Sequence, residues 1–99
     1  MSLGDPSSLT VVLNSYAVAY FSEADQQAYF DDMTERCARG NVAWISLESP
    51  FMVHWPLAPR TSEWATTGAT QVIVALPGGA PTTWGWCHHH GLWTRFNVP

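Results

Sequence analysis

Asn14, Ser15 and Tyr16 close one short apolar run of the chain, and Glu48 closes another. In open α/β sheets, ligands sit beyond the carboxyl ends of the strands. If the two runs are neighbouring parallel strands, Asn14 and Glu48 point into one crevice, with Ser15 and Tyr16 beside them. Glu48 could then orient an amine, or act as a base if burial favours its protonated form. The plainer alternative makes Asn14 a turn cap and Glu48 a solvated strand end, which turn chemistry alone explains.

A second candidate is Cys87-His88-His89-His90. Alternate residues of an extended segment face one way, so His88 and His90 could share a metal ion, with His54 or Cys87 joining. No carboxylate lies beside this run, and histidines are ordinary turn residues before a glycine. The competing reading is a polar turn with adventitious zinc or nickel affinity. Cys37 falls on an apolar helical stripe and reads as a small core residue. No nucleophile elbow of the GxSxG kind is present. Trp84, Trp86 and Trp93 could line a ligand cleft, but core or interface packing is their commoner use.

The elements that would position these residues are readable in outline. Leu9 to Leu13 is a β-branched run, apolar on both faces like a buried parallel strand. Tyr16 to Phe21 is ambiguous between helix and strand. Ser22, followed by Glu23 and Asp25, predicts a helix from about Glu23 to Ala38, with Gly40 as its stop. Tyr29, Met33 and Cys37 form its inner stripe, widened by Phe30 and Ala24. Val42 to Leu47 is a second buried strand, spaced from the first for a parallel crossover. Pro50 to Gly68 reads as an ordered loop with a short helix near Thr61 to Ala65. Thr70 to Leu76, Thr82 to Cys87 and Leu92 to Asn97 then describe an antiparallel meander. Trp84 and Trp86 are expected on one face of their strand. Residues 1–8 read as a leader or disordered lead-in, and residues 9–99 as a single half-domain.

Composition narrows the function classes. Only 12% of the residues are charged, against about 25% in ordinary domains, while 46% are hydrophobic and six are tryptophan. That balance predicts apolar surface buried against a second copy, an absent partner or a missing half of the same domain. The net charge is −4, and four dispersed arginines with no lysine argue against nucleic acid as a partner. No apolar run approaches a membrane span. The start lacks a signal-peptide pattern. Cys37 and Cys87 make no CxxC spacing, which suits a reducing, cytoplasmic setting with two free thiols.

Leu9-Thr10-Val11-Val12, Ala17-Val18-Ala19-Tyr20-Phe21-Ser22, Val42-Ala43-Trp44-Ile45-Ser46-Leu47-Glu48 and Cys87-His88-His89-His90-Gly91-Leu92-Trp93 resemble a family of uncharacterised bacterial proteins. It is the domain of unknown function numbered two-three-three-two. The resemblance implies that the chain corresponds to the C-terminal region of a longer protein. The element order is also similar to the second half of an S-adenosylmethionine-dependent methyltransferase domain. That likeness implies a cofactor site in a first half, since neither a glycine-rich loop nor a ribose-binding acid stands in this sequence.

The expected fold class is therefore α/β: a partial Rossmann-like, methyltransferase-like three-layer unit with one strand–helix–strand crossover and a C-terminal antiparallel meander. The expected function is the substrate-side part of a Rossmann-like domain with no complete active site and no cofactor of its own. S-adenosylmethionine would be bound by the longer protein if that protein is an enzyme. The alternatives are an aromatic-rich module forming a homodimer or partner complex, and a metal-binding module at the histidine turn.

Overall fold

The computed structural model describes residues 8–49, 52, 53, 55, 69–87 and 94–96. They form one mixed five-stranded sheet in the order β1-β2-β3-β4-β5, with one α-helix. Strand β1 is Thr10–Ser15, α1 is Glu23–Ala38 and β2 is Val42–Glu48. The remaining strands are β3 Thr70–Ala75, β4 Thr82–Cys87 and the three-residue β5 Thr94–Phe96. β1 and β2 run parallel, joined through α1, and every later pairing is antiparallel. The crossover and the meander are thus both present. The described residues supply two layers, sheet and helix, rather than the expected three.

Local chemistry accounts for the helix. The Ser22 side chain accepts from the Asp25 amide at 3.2 Å, and Glu23 and Asp25 sit in the first turn, where the helix dipole favours acids. Gly40, at φ 120, takes a backbone conformation that side-chain-bearing residues avoid. Its amide donates to the Cys37 carbonyl at 3.1 Å. The buried stripe is Gln26, Phe30, Met33 and Cys37. Ala24, expected on that stripe, is exposed, and Gln26 stands in its place. A polar residue is tolerated there because its amide nitrogen reaches the carbonyls of Val18, Phe21 and Met52 at 3.2–3.3 Å.

The core lies between α1 and the sheet. Phe30, Met33 and Cys37 meet Val42, Trp44, Ile73 and Ala75 there, with Val53 and Trp55 completing the layer. Trp44 is fully buried, its ring 5.8 Å from Phe30 and 5.3 Å from Trp55 in edge-on geometries. Such contacts add to the area that these rings remove from water. The segment Val18–Tyr20, ambiguous in sequence, is one turn of 3-10 helix that buries Val18.

Two expectations about faces are corrected. β1 is buried on one face only: Leu9, Val11 and Leu13 are 60%, 54% and 62% exposed. It is an edge strand among the described residues, so its apolar second face lacks the cover that β3 has, whose residues are all buried. Trp84 and Trp86 do not share a face. The register slips between Val72 and Ile73, leaving Trp84 as an extra residue in β4. Trp86 therefore pairs with Gln71 and is buried, while Trp84 joins Val74 and Thr82 in lining a pocket of about 200 Å³. Trp93 and the loop helix near Thr61 to Ala65 lie outside the described residues.

The helix stop yields a direct test. Gly40→Ala should cost ~1–3 kcal/mol, because the backbone must hold a conformation that disfavours a Cβ. A urea midpoint unchanged from the parent chain would show that Gly40 is not required.

Candidate functional site

Parallel pairing places the ends of β1 and β2 side by side, with Asn14 opposite Ser46 and Ser15 opposite Leu47. Trp44, Ser46 and Glu48 alternate onto the helix-facing side of β2, and Asn14 comes from β1 on the same side. The result is a buried polar cluster centred on Asn14. Its amide nitrogen donates to Ser46 Oγ and to Glu48 Oε2, both at 2.8 Å. Its carbonyl oxygen accepts from the Trp44 indole N–H at 2.6 Å and from the Tyr29 hydroxyl at 2.9 Å. An Asn side chain has two donor hydrogens and two acceptor lone pairs, so Asn14 is saturated.

Glu48 is 3% exposed. Its Oε2 accepts from Asn14 and also from the Ala17 backbone amide at 3.2 Å, fixing the turn that follows β1. Its Oε1 is buried and has no hydrogen-bond partner among the described residues. Tyr16 occupies the left-handed region at φ 51, a strained position for a residue with a side chain. Its amide donates to the Leu47 carbonyl at 3.0 Å, and its hydroxyl bonds Thr70 Oγ1. Ser15 is exposed and takes no part in the cluster.

Electrostatics keeps the neighbouring hydroxyls and thiols protonated. Burial pushes the Tyr29 phenol above its ordinary value, and the nearby Trp44 indole N–H opposes that only in part. Tyr16 is raised by burial first, then by the nearby ionisable groups of Cys87 and Glu48. Burial also raises Cys87, against a smaller opposing effect from its bond with Thr70, and raises Cys37. Both cysteines are free thiols. These directions are opposite to the lowering that activates a nucleophile.

Asn14 and Glu48 are thus brought together, while Tyr16 follows them in the turn with its hydroxyl on Thr70 and Ser15 only borders them. Ser46, Trp44 and Tyr29 were missed as members of the cluster. The available signal was parity, since Ser46 shares the face of Trp44 and Glu48 in an otherwise apolar strand. His54, His88 and His90 lie outside the described residues, so the metal expectation falls there. Among the described residues no three His, Cys, Asp or Glu side chains are grouped to hold an ion. The pocket beside Trp84 is lined by Leu76 and Gly79, so it lies at the far end of β3 from Glu48.

The family model described as "Uncharacterized protein conserved in bacteria (DUF2332)" matches residues 2–96. The chain belongs to this family. The matched region of the family takes in the whole polar cluster. No curated protein and no solved structure matches the chain. No helix among the described residues is long and apolar enough to cross a membrane.

Two outcomes test the cluster. Asn14→Asp keeps the oxygen for Tyr29 and Trp44 but turns both donors into an acceptor facing Glu48. It should cost about 2–4 kcal/mol, whereas Tyr29→Phe, which leaves Trp44 bonded, should cost only about 0.5–1.5. Equal urea midpoints for the two variants would contradict the arrangement.

The raised thiol and phenol values also set a direction with pH. Unfolded cysteines and tyrosines lose protons from their model values of 9.0 and 10.0 upward, while the folded groups hold theirs. Stability is then full below about pH 9 and falls as pH rises beyond it. Unfolding midpoints that stay flat to pH 11 would contradict this.

Proposed function

We propose that the chain supplies the substrate-side half of a small-molecule crevice in a Rossmann-like bacterial domain. The observation that carries the reading is Glu48 Oε1, a buried carboxylate oxygen without a partner among the described residues, at the carboxyl end of the parallel strand pair. Buried polar atoms are ordinarily paired, and an unpaired one at a functional edge suits a ligand that brings the missing donor. Glu48 would be the accepting group, and Asn14 its positioning residue.

Among the described residues β1 has an open edge, which supports the half-domain part of this reading. The amides of Thr10 and Tyr16 bond toward β2, so the alternate residues Val11, Leu13 and Ser15 turn their backbone groups the other way. The same residues carry exposed side chains. A further strand of the same protein, with its covering helix, would satisfy both and complete the crevice. This moves the expected association surface from the meander tryptophans to β1, because Trp86 is already buried inside the chain. No residue of this chain argues for S-adenosylmethionine, so the reading extends to ligand binding and not to methyl transfer.

A panel of small polar molecules, screened by amide chemical shifts on the 99-residue chain, tests the proposal. Binders should move the Asn14, Tyr16, Ala17 and Glu48 amides together. A panel that moves none of them, or only residues around Trp84, would overturn it.

A further inference from the structure

We infer that the pocket beside Trp84 is a binding site for a small neutral aromatic molecule, independent of the crevice at Glu48. The pocket encloses about 200 Å³ between the β3–β4 turn and the Trp84 side chain. Ile73 and Ala75 belong to the core under α1, so Val74 between them faces the opposite side of the sheet. Val74 and its cross-strand partner Thr82 line the pocket from the sheet. The register slip leaves Trp84 without a partner residue on β3 and lets it stand beside them.

Trp84 differs from the core tryptophans. Trp44 and Trp55 pair their rings at 5.3 Å, and their indole N–H groups donate to the Asn14 side chain and the Gln26 carbonyl. Trp84 is half-buried, and its indole has neither a ring partner nor a hydrogen bond among the described residues. Bulges are over-represented beside active sites, where they re-aim a side chain. The turn on the other side of the pocket is fixed twice. Gly78, at φ 79, donates its amide to the Cys37 carbonyl at the end of α1 at 2.7 Å, and the Gly79 amide donates to the Leu76 carbonyl at 2.9 Å. The pocket is thus formed before a ligand arrives, which lowers the ordering cost of binding.

The lining sets the ligand class. Among the described residues no ionisable side chain borders the pocket, so a charged ligand would lose water there without gaining a countercharge. Thr82 and Trp84 bring one hydroxyl and one indole N–H, enough for a single polar substituent. Apolar cavities of about 150 Å³ take up benzene, so this volume suits one six-membered ring with a small group attached. Contact with the indole favours an aromatic ring over a saturated one by roughly two- to tenfold.

Phenol, cyclohexanol and benzoate, titrated into the chain at neutral pH and equal ionic strength and followed by NMR, test the assignment. Ligands of this size bind with affinity on the order of millimolar. Phenol should shift the Gly79 and Ala80 amides and the Trp84 indole N–H saturably, about threefold or more tighter than cyclohexanol, with no response to benzoate. Trp84→Leu should keep the dispersed spectrum of the folded chain and lose the preference for phenol. Equal affinities for phenol and cyclohexanol in the parent chain would overturn the aromatic assignment, and benzoate binding as tightly as phenol would overturn the neutral one. Phenol shifts that grow without saturation, or that fall at Asn14, Tyr16 and Glu48 instead, would overturn the site itself. These comparisons are read in the parent chain and do not depend on the variant folding.

Discussion

Asn14 is the residue through which strand pairing, helix packing and the polar edge are joined. Its four hydrogen bonds reach β2 at Trp44, Ser46 and Glu48, and reach α1 at Tyr29. Each bond contributes only about 0.5–1.5 kcal/mol net, but leaving several buried partners unpaired at once costs far more. The geometry is also directional. The carboxamide oxygen must face the aromatic donors and the nitrogen the acid, so the cluster admits one orientation of Asn14 and one register of β1 on β2.

From that point the structure grades from apolar to polar along β2. At one end Trp44 is closed among Phe30, Tyr29 and Trp55. At the other, Glu48 holds the turn after β1 with one oxygen and keeps the second unpaired. Tyr16, held in the left-handed region beside it, adds a strained residue at the same edge. Strain and unpaired buried atoms collect where packing alone is not what determines the residue, which is why this edge and not the Trp84 pocket carries the functional proposal.

Much of this was legible in the sequence. Ser22 and Gly40 mark both ends of α1 because capping and positive φ are local properties. The approach of Asn14 to Glu48 follows from two strand ends and a parallel crossover. The saturation of Asn14 does not, because Tyr29 and Trp44 read as apolar filler until packing aims their polar atoms. Gln26 was hidden for a related reason, since its burial depends on carbonyls from Val18, Phe21 and Met52. The bulge at Trp84 reverses an alternation that strand periodicity takes for granted, with Gly85 as its faint signal. The exposure of Leu9, Val11 and Leu13 was unreadable, because an apolar strand looks alike whether its second face is covered or bare.

Hydrogen exchange of the Asn14 side-chain amide, read by NMR beside the Trp44 indole proton, probes the saturated cluster most directly. If all four bonds exist together, both signals exchange only through global unfolding and share the protection of the β2 backbone. Asn14 protons exchanging at the rate of a free amide, while Trp44 stays protected, would contradict the account and leave Glu48 without its positioning residue.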